Sequence, residues 1–255
     1  MTDGIAMKYL NIDRLYKYYA YNKRSVSALR TRTFWFAKPA SLNDPFDCKI
    51  PFDSCITGED VRTFLPRFAR YRNLSKKQAE RELRQVITQN GQIDRVFARI
   101  WKSILRQASK NLEDSGVFCL SESNSSILMW SHYANAHKGF CVEFERHPDN
   151  DLGDYDKTRK VKYGADYPVI NALDPKAYDY KFFWKAMGWK YEREWRLVKT
   201  EGNTAAPLSA GISAIIFGLK MSARHKSAIK EILPDLQYRQ CTKALNQFGL
   251  EIVDL

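Results

Sequence analysis

No stretch of 18 or more apolar residues occurs in the 255-residue sequence, which excludes an ordinary transmembrane helix. Residues 1–11 carry no apolar core of signal-peptide length, so the chain is expected to remain in the cytoplasm. The five cysteines, at 48, 55, 119, 141 and 241, are odd in number and scattered. Without a CxxC or zinc-like spacing, reduced thiols and no structural metal are expected. Twelve glycines, widely dispersed, form no Walker or Rossmann phosphate loop, and no GxSxG elbow is present. Only four histidines occur. His132 and His137 are five apart, which does not put both on one helical face, so a zinc pair is not expected. Internal repeats, low-complexity tracts and linkers are absent as well.

Aromatic residues are plentiful, with 14 Tyr, 14 Phe and 6 Trp, and the apolar content of 44% is that of a globular chain. Charge is uneven. The net charge is +12, and residues 61–110 hold thirteen Lys or Arg against Glu80, Glu82 and Asp94. A localised positive field attracts polyanions. Arg81, Arg84, Arg95 and Arg99 are therefore candidate nucleic-acid contacts. The alternative is a solvated helical face, since Lys and Arg also favour helices.

Hydrophobic spacing predicts strands at 15–19, 33–37, 117–121, 140–145, 193–198 and 212–217, with further strands near 160–163, 236–241 and 250–253. It predicts helices from Asn22 to Arg30, at 60–72, 75–89 and 92–112, from Ile127 to Ala136, from Asp174 to about Met187, and from Ser222 to Leu233. The expected fold is one α+β domain over 1–255. Its central sheet is mixed, mostly antiparallel and split into two halves, with a basic helical subdomain inserted at 60–112.

The richest chemistry lies in Tyr191-Glu192-Arg193-Glu194-Trp195-Arg196. In an extended segment Glu192 and Glu194 share one face, while Arg193 and Trp195 take the other. Aligned carboxylates repel, so the fold either uses their charge or balances it with a cation. The plain alternative is a salt bridge to Arg193, Arg196 or Lys190. His132 is either a general base or a core or capping residue.

Together with Leu15-Tyr16-Lys17-Tyr18, Asn43-Asp44-Pro45-Phe46-Asp47, Met129-Trp130-Ser131-His132-Tyr133-Ala134 and Lys138-Gly139-Phe140, this segment resembles the bacterial domain of unknown function 2971. The resemblance spans about residues 15–235, and the family name implies no activity. In the order of its motifs the chain is also similar to the ADP-ribosyltransferase fold. That likeness implies NAD as the cofactor, with Glu194 as the catalytic carboxylate and Glu192 orienting the acceptor. It implies Lys17 on the first strand, where those enzymes use His or Arg, and ribose-fixing hydroxyls at Ser121 and Ser123. Tyr18 or Tyr133 would stack on nicotinamide, with Tyr16, Asn43, Asp44 and His132 close by. Cleavage of a nicotinamide–ribose bond builds an oxocarbenium-like cation that a carboxylate can stabilise.

Three readings follow. One is an ADP-ribosyltransferase-like enzyme acting on nucleic acid or protein, as a toxin or phage-defence effector. The second is a metal-dependent nuclease using Asp44, Asp47, Glu143, Glu192 or Glu194 with Mg²⁺. The third is a non-enzymatic nucleic-acid-binding module built on residues 61–110.

Overall fold

The computed structural model describes residues 11–53, 73–86, 94–168, 170–171 and 177–255, with Glu59, Pro66, Ala69 and Arg70 besides. The chain opens with β1 (Arg14–Tyr19), α1 (Lys23–Thr31), β2 (Thr33–Phe36) and β3 (Phe52–Asp53). Two helices of the basic stretch follow, α2 (Lys76–Val86) and α3 (Arg95–Asp114). Next come β4 (Gly116–Ser121), α4 (Ile127–Tyr133), β5 (Phe140–Glu145), β6 (Thr158–Lys160), β7 (Lys162–Gly164) and β8 (Ile170–Asn171). The chain continues through α5 (Ala177–Phe183), β9 (Trp184–Ala186), a 3-10 helix (Met187–Glu192), β10 (Glu194–Lys199) and β11 (Thr204–Pro207). It ends with β12 (Ile212–Phe217), α6 (Ala223–Ile232), β13 (Gln237–Lys243) and β14 (Leu250–Asp254).

Local chemistry sets several of these boundaries. The Asn22 side chain accepts hydrogen bonds from the Arg24 and Ser25 amides, and Ser25 Oγ accepts from the Asn22 amide, a reciprocal cap that starts α1. Ser126 and Ser222 accept from the amides three residues on and start α4 and α6.

The fold is α+β. Eight strands form one mixed, mostly antiparallel sheet in the order β14-β13-β12-β5-β1-β4-β10-β6, in which β12 and β13 alone run parallel. β1 and β4 are joined at a single register pair, Tyr16 with Ser121. Beyond that pair they part, which splits the sheet between β1 and β4. One face carries Leu15, Phe118, Leu120, Val142, Phe144, Trp195 and Leu197 into the main core, beneath α1, α6, β2 and β11. Tyr18, Cys141 and Ile216 on the other face meet Trp130 of α4. Val117 on that face meets Phe182 and Phe183 of α5.

Four expectations need correction. The strand at 33–37 touches the central sheet only at its end, where Ala37 forms an isolated antiparallel bridge with Val117 of β4. It pairs with β11 and lies over the core, with Phe34 and Phe36 inward and Trp35 out. Its alternation fixes a buried face but not a partner. The helix expected to reach Met187 ends at Phe183, because Trp184–Ala186 pairs in parallel with β7. The strand expected from residue 193, with Glu192 extended before it, begins at Glu194, since Glu192 closes the 3-10 helix and Arg193 takes a left-handed conformation at φ 46°. The α4 helix stops at Tyr133, where Asn135, Ala136 and His137 all adopt positive φ. The helix expected at 60–72 and the start at Asp174-Pro175 lie largely outside the described residues.

Candidate functional site

The split in the sheet creates the site. Where β1 leaves β4, a cleft of about 240 Å³ opens, with Tyr16, Lys17 and Tyr18 on one wall and Cys119 and Leu120 on the other. Lys17 Nζ spans the gap and donates to the Cys119 carbonyl at 2.7 Å. Asn43, Asp47, Tyr133, Lys185, Glu192 and Glu194 complete the charged end.

Alternation along β10 sends Glu194 and Arg196 to the cleft face and Trp195 and Leu197 to the core. Arg196 is fully buried and lies between two carboxylates. Its Nε and Nη2 donate to the two oxygens of Glu194 at 2.8 and 2.9 Å. Its Nη1 and Nη2 donate to the two oxygens of Asp47 at 2.8 and 2.6 Å. A planar guanidinium can serve two carboxylates in this way, whereas an ammonium cannot.

Lys185 is the second buried cation. It donates to Glu192 at 2.5 Å and to Glu194 at 3.1 Å, with Asp47 3.6 Å away. Its position depends on β9, which packs Trp184 against Gly164. A Cβ on residue 164 would meet the Trp184 ring at 2.4 Å, so a glycine permits this approach. The other Glu192 oxygen accepts from the Tyr133 hydroxyl at 2.5 Å, and Asn43 donates to that hydroxyl at 3.2 Å.

Three carboxylates (Asp47, Glu192, Glu194) thus meet two cations (Lys185, Arg196), and the fully ionised cluster carries one excess negative charge. The two glutamates respond in opposite directions. Burial opposes charge on Glu194, but Arg196 and Lys185 outweigh it and hold the carboxyl well below the usual range. For Glu192, burial and then repulsion from Glu194 dominate, and they push its carboxyl up despite Lys185 and Tyr133. Burial, reinforced by Glu192, likewise raises the Tyr133 phenol. Burial also raises the Tyr16 phenol, to about 12.

The expected residues divide accordingly. Tyr16, Lys17, Tyr18, Asn43, Tyr133, Glu192 and Glu194 converge on the cleft. Ser121 lies behind it, fully buried, with its hydroxyl donating to the Glu192 carbonyl at 2.6 Å and accepting from the Ser123 amide. The Ser123 carbonyl accepts from Tyr18. Both serines therefore brace the walls. Asp44 is buried nearby and accepts from the Phe46 amide. His132 is exposed and pairs with the Tyr191 hydroxyl at 3.1 Å. Arg193 turns outward to Glu122, so Arg196 is the arginine that balances Glu194.

Glu143 belongs to a different buried group, with Arg239, Arg14 and Ser213. Among the described residues, no group of three or more His, Cys, Asp and Glu is arranged to hold a metal ion. Arg81, Arg84, Arg95 and Arg99 are exposed on α2 and α3, away from the cleft lining. No helix of the described residues is long and apolar enough to cross a membrane.

Sequence reasoning did not single out Lys185. The available signal was a lysine in an otherwise apolar run, Phe182-Phe183-Trp184-Lys185-Ala186-Met187. Tyr163, whose hydroxyl accepts from the Glu194 amide at 2.8 Å, was also missed.

A family model described as a protein of unknown function (DUF2971) matches residues 129–197. That segment runs from α4 into β10 and contains Tyr133, Lys185, Glu192, Glu194 and Arg196. The motifs at 15–18 and 43–47 lie outside it. No curated protein and no solved structure matches the chain, so the likeness to ADP-ribosyltransferases rests on motif order alone.

Proposed function

We propose that the cleft is a ribosyl-transfer site, ADP-ribosyltransferase-like in its chemistry, with Glu192 as the carboxylate that serves an N-glycosidic bond. The observation that carries this reading is the charge imbalance. Glu194 is held by Arg196 and Lys185 through both oxygens. Glu192 is the carboxylate of the cluster whose affinity for a proton is raised, and it lines the cleft. A carboxyl poised nearer neutrality can exchange a proton during turnover, which suits a general acid or base. Glu194 becomes a positioning residue that fixes Lys185 and raises Glu192 by repulsion.

The reaction follows from these roles. As the C1′–N bond breaks, its electron pair departs with the base, and positive charge grows on the ribose. The ionised carboxylate stabilises that charge. Water or an acceptor hydroxyl adds to C1′, its proton passes to Glu192, and Glu192 returns a proton to the departing base. Tyr133 and Lys185 hold the carboxylate in place.

The cleft fits a nucleoside-sized group. Its 240 Å³ falls below the ~300–1,000 Å³ of pockets that enclose larger ligands. Its two lysines already donate to a carbonyl and to carboxylates. The reaction is therefore written for the N-ribosyl group, which nucleosides and NAD share.

The test is turnover of a panel of nucleosides and NAD, followed by chromatography of the released base. Wild-type protein should cleave or transfer from at least one member. Glu192→Gln should lower kcat by about a hundredfold or more, as expected for loss of a positioned acid–base group. Wild type inert toward every N-glycoside, or Glu192→Gln at full rate, removes the reading.

A further inference from the structure

A second cleft, of about 430 Å³, lies between α3 and the segment after Asp47. Its polar lining is Lys49, Lys102, Arg106, Ser109, Glu113 and Lys181. Four cations thus face one carboxylate. Residues 102, 106, 109 and 113 form one stripe along α3, by the four-three-four spacing of a helical face. Lys49 and Lys181 approach from the opposite wall. Lys49, Lys102 and Arg106 have no ion-pair partner among the described residues.

Lys181 marks this cleft as more than a basic surface. Its residue is only 8% exposed. Its ammonium donates to the Ile50 carbonyl at 2.7 Å and lies 5.3 Å from the centre of the Phe52 ring. One bond to a carbonyl leaves two of its three N–H donors. Burial lowers its proton affinity, and Lys49 adds repulsion. Like charges gathered in a concave site create a field that an anion relieves. The Arg106 fork matches two oxygens of a tetrahedral oxyanion, and Ser109 adds a hydroxyl donor.

We propose that this cleft is a phosphate-binding site, distinct from the Glu192 cleft, that takes a phosphomonoester or phosphodiester group. It does not depend on the ribosyl-transfer reading. A single phosphorylated metabolite and the backbone of a polynucleotide offer the same chemistry, and the probes separate them.

Calorimetric titration at low salt would use inorganic phosphate, adenosine monophosphate and a single-stranded dodecanucleotide. Wild type should bind phosphate and the mononucleotide. The Lys102→Glu/Arg106→Glu double variant should weaken both at least tenfold, and Lys49→Glu should do so from the other wall. Both sets alter exposed positions, so the fold should survive. Arg81→Glu/Arg84→Glu on α2 should leave inorganic phosphate binding unchanged. A dodecanucleotide bound more tightly than the mononucleotide, with a steeper salt dependence, identifies a polynucleotide source. Equal affinity identifies a single phosphate group. No phosphate binding by wild type, or equal binding by wild type and both cleft variants, overturns the proposal.

Discussion

Glu194→Gln and Glu192→Gln remove the same charge two residues apart, yet their effects on stability should differ in sign and size. Glu194 contacts Arg196 through both oxygens and Lys185 through one. An amide offers one acceptor oxygen, so a fully buried guanidinium loses part of its pairing. Breaking a buried ion pair from one side costs about 3–5 kcal/mol. For a chain of this size each kcal/mol moves Tm by roughly 2–4 °C, so Glu194→Gln should lower Tm by about 6–20 °C. Glu192 is the carboxylate whose charge the fold disfavours. Glu192→Gln relieves repulsion with Glu194 and leaves Lys185 its other carboxylates, so its Tm should stay level or rise at neutral pH.

The pH profiles carry the same signs. The Glu194 pKa is depressed on folding, so its contribution is present above its ordinary value of 4.5 and lost as pH falls below that. Glu194→Gln should flatten this acid limb. The Glu192 pKa is raised, so its contribution is present below 4.5 and lost as pH rises through the folded value. Glu192→Gln should remove that decline. Thermal unfolding followed by circular dichroism from pH 2 to pH 8 measures both. A Glu194→Gln protein melting within 2 °C of wild type, or a Glu192→Gln protein melting far lower, refutes the charge assignment.

Two further outcomes follow from the geometry. Tyr133→Phe removes the 2.5 Å hydrogen bond to Glu192, worth about 1.5–3 kcal/mol for a charged acceptor. It should shift the Glu192 titration, read by carboxyl carbon NMR, to still higher pH, and an unmoved titration contradicts the assigned contact. Charge reversal at Arg81, Arg84 and Arg95, all exposed, should weaken oligonucleotide binding evenly across sequences and reduce its salt slope. No binding of DNA or RNA by wild type at low salt removes a nucleic-acid role for these helices.

Much of the fold is legible in residue spacing because its determinants are local. The alternation in Glu194 to Lys199 marks a half-core strand. Asn22, Ser126 and Ser222 mark helix starts with their own side chains. Errors appear where a distant partner decides. Trp184–Ala186 becomes a strand because β7 pairs with it and Gly164 makes room for the indole. Thr33–Phe36 has the pattern of a central strand, yet β11 supplies its partner. Neither choice leaves a mark in the segment that makes it.

The site shows the same limit in terms of charge. Alternation puts Glu192 and Glu194 on one face, and they do meet, but by a different route. A 3-10 turn and the left-handed Arg193 aim Glu192 at the cleft. That side-by-side carboxylates need a nearby cation holds too, with Arg196 filling the role for Glu194. Which glutamate stays reactive depends on the whole cluster, assembled from the Asn43–Asp47 turn, β9, the 3-10 helix and β10. Lys185 is decisive here. With Arg196 alone, three carboxylates would face one cation, and the burial cost would favour protonating more than one of them. With Lys185 present the deficit falls to a single charge. Geometry assigns that charge to Glu192, because Arg196 already holds both oxygens of Glu194 and both of Asp47. The sequence displays each of these five groups, but only the fold brings them together and determines their sum.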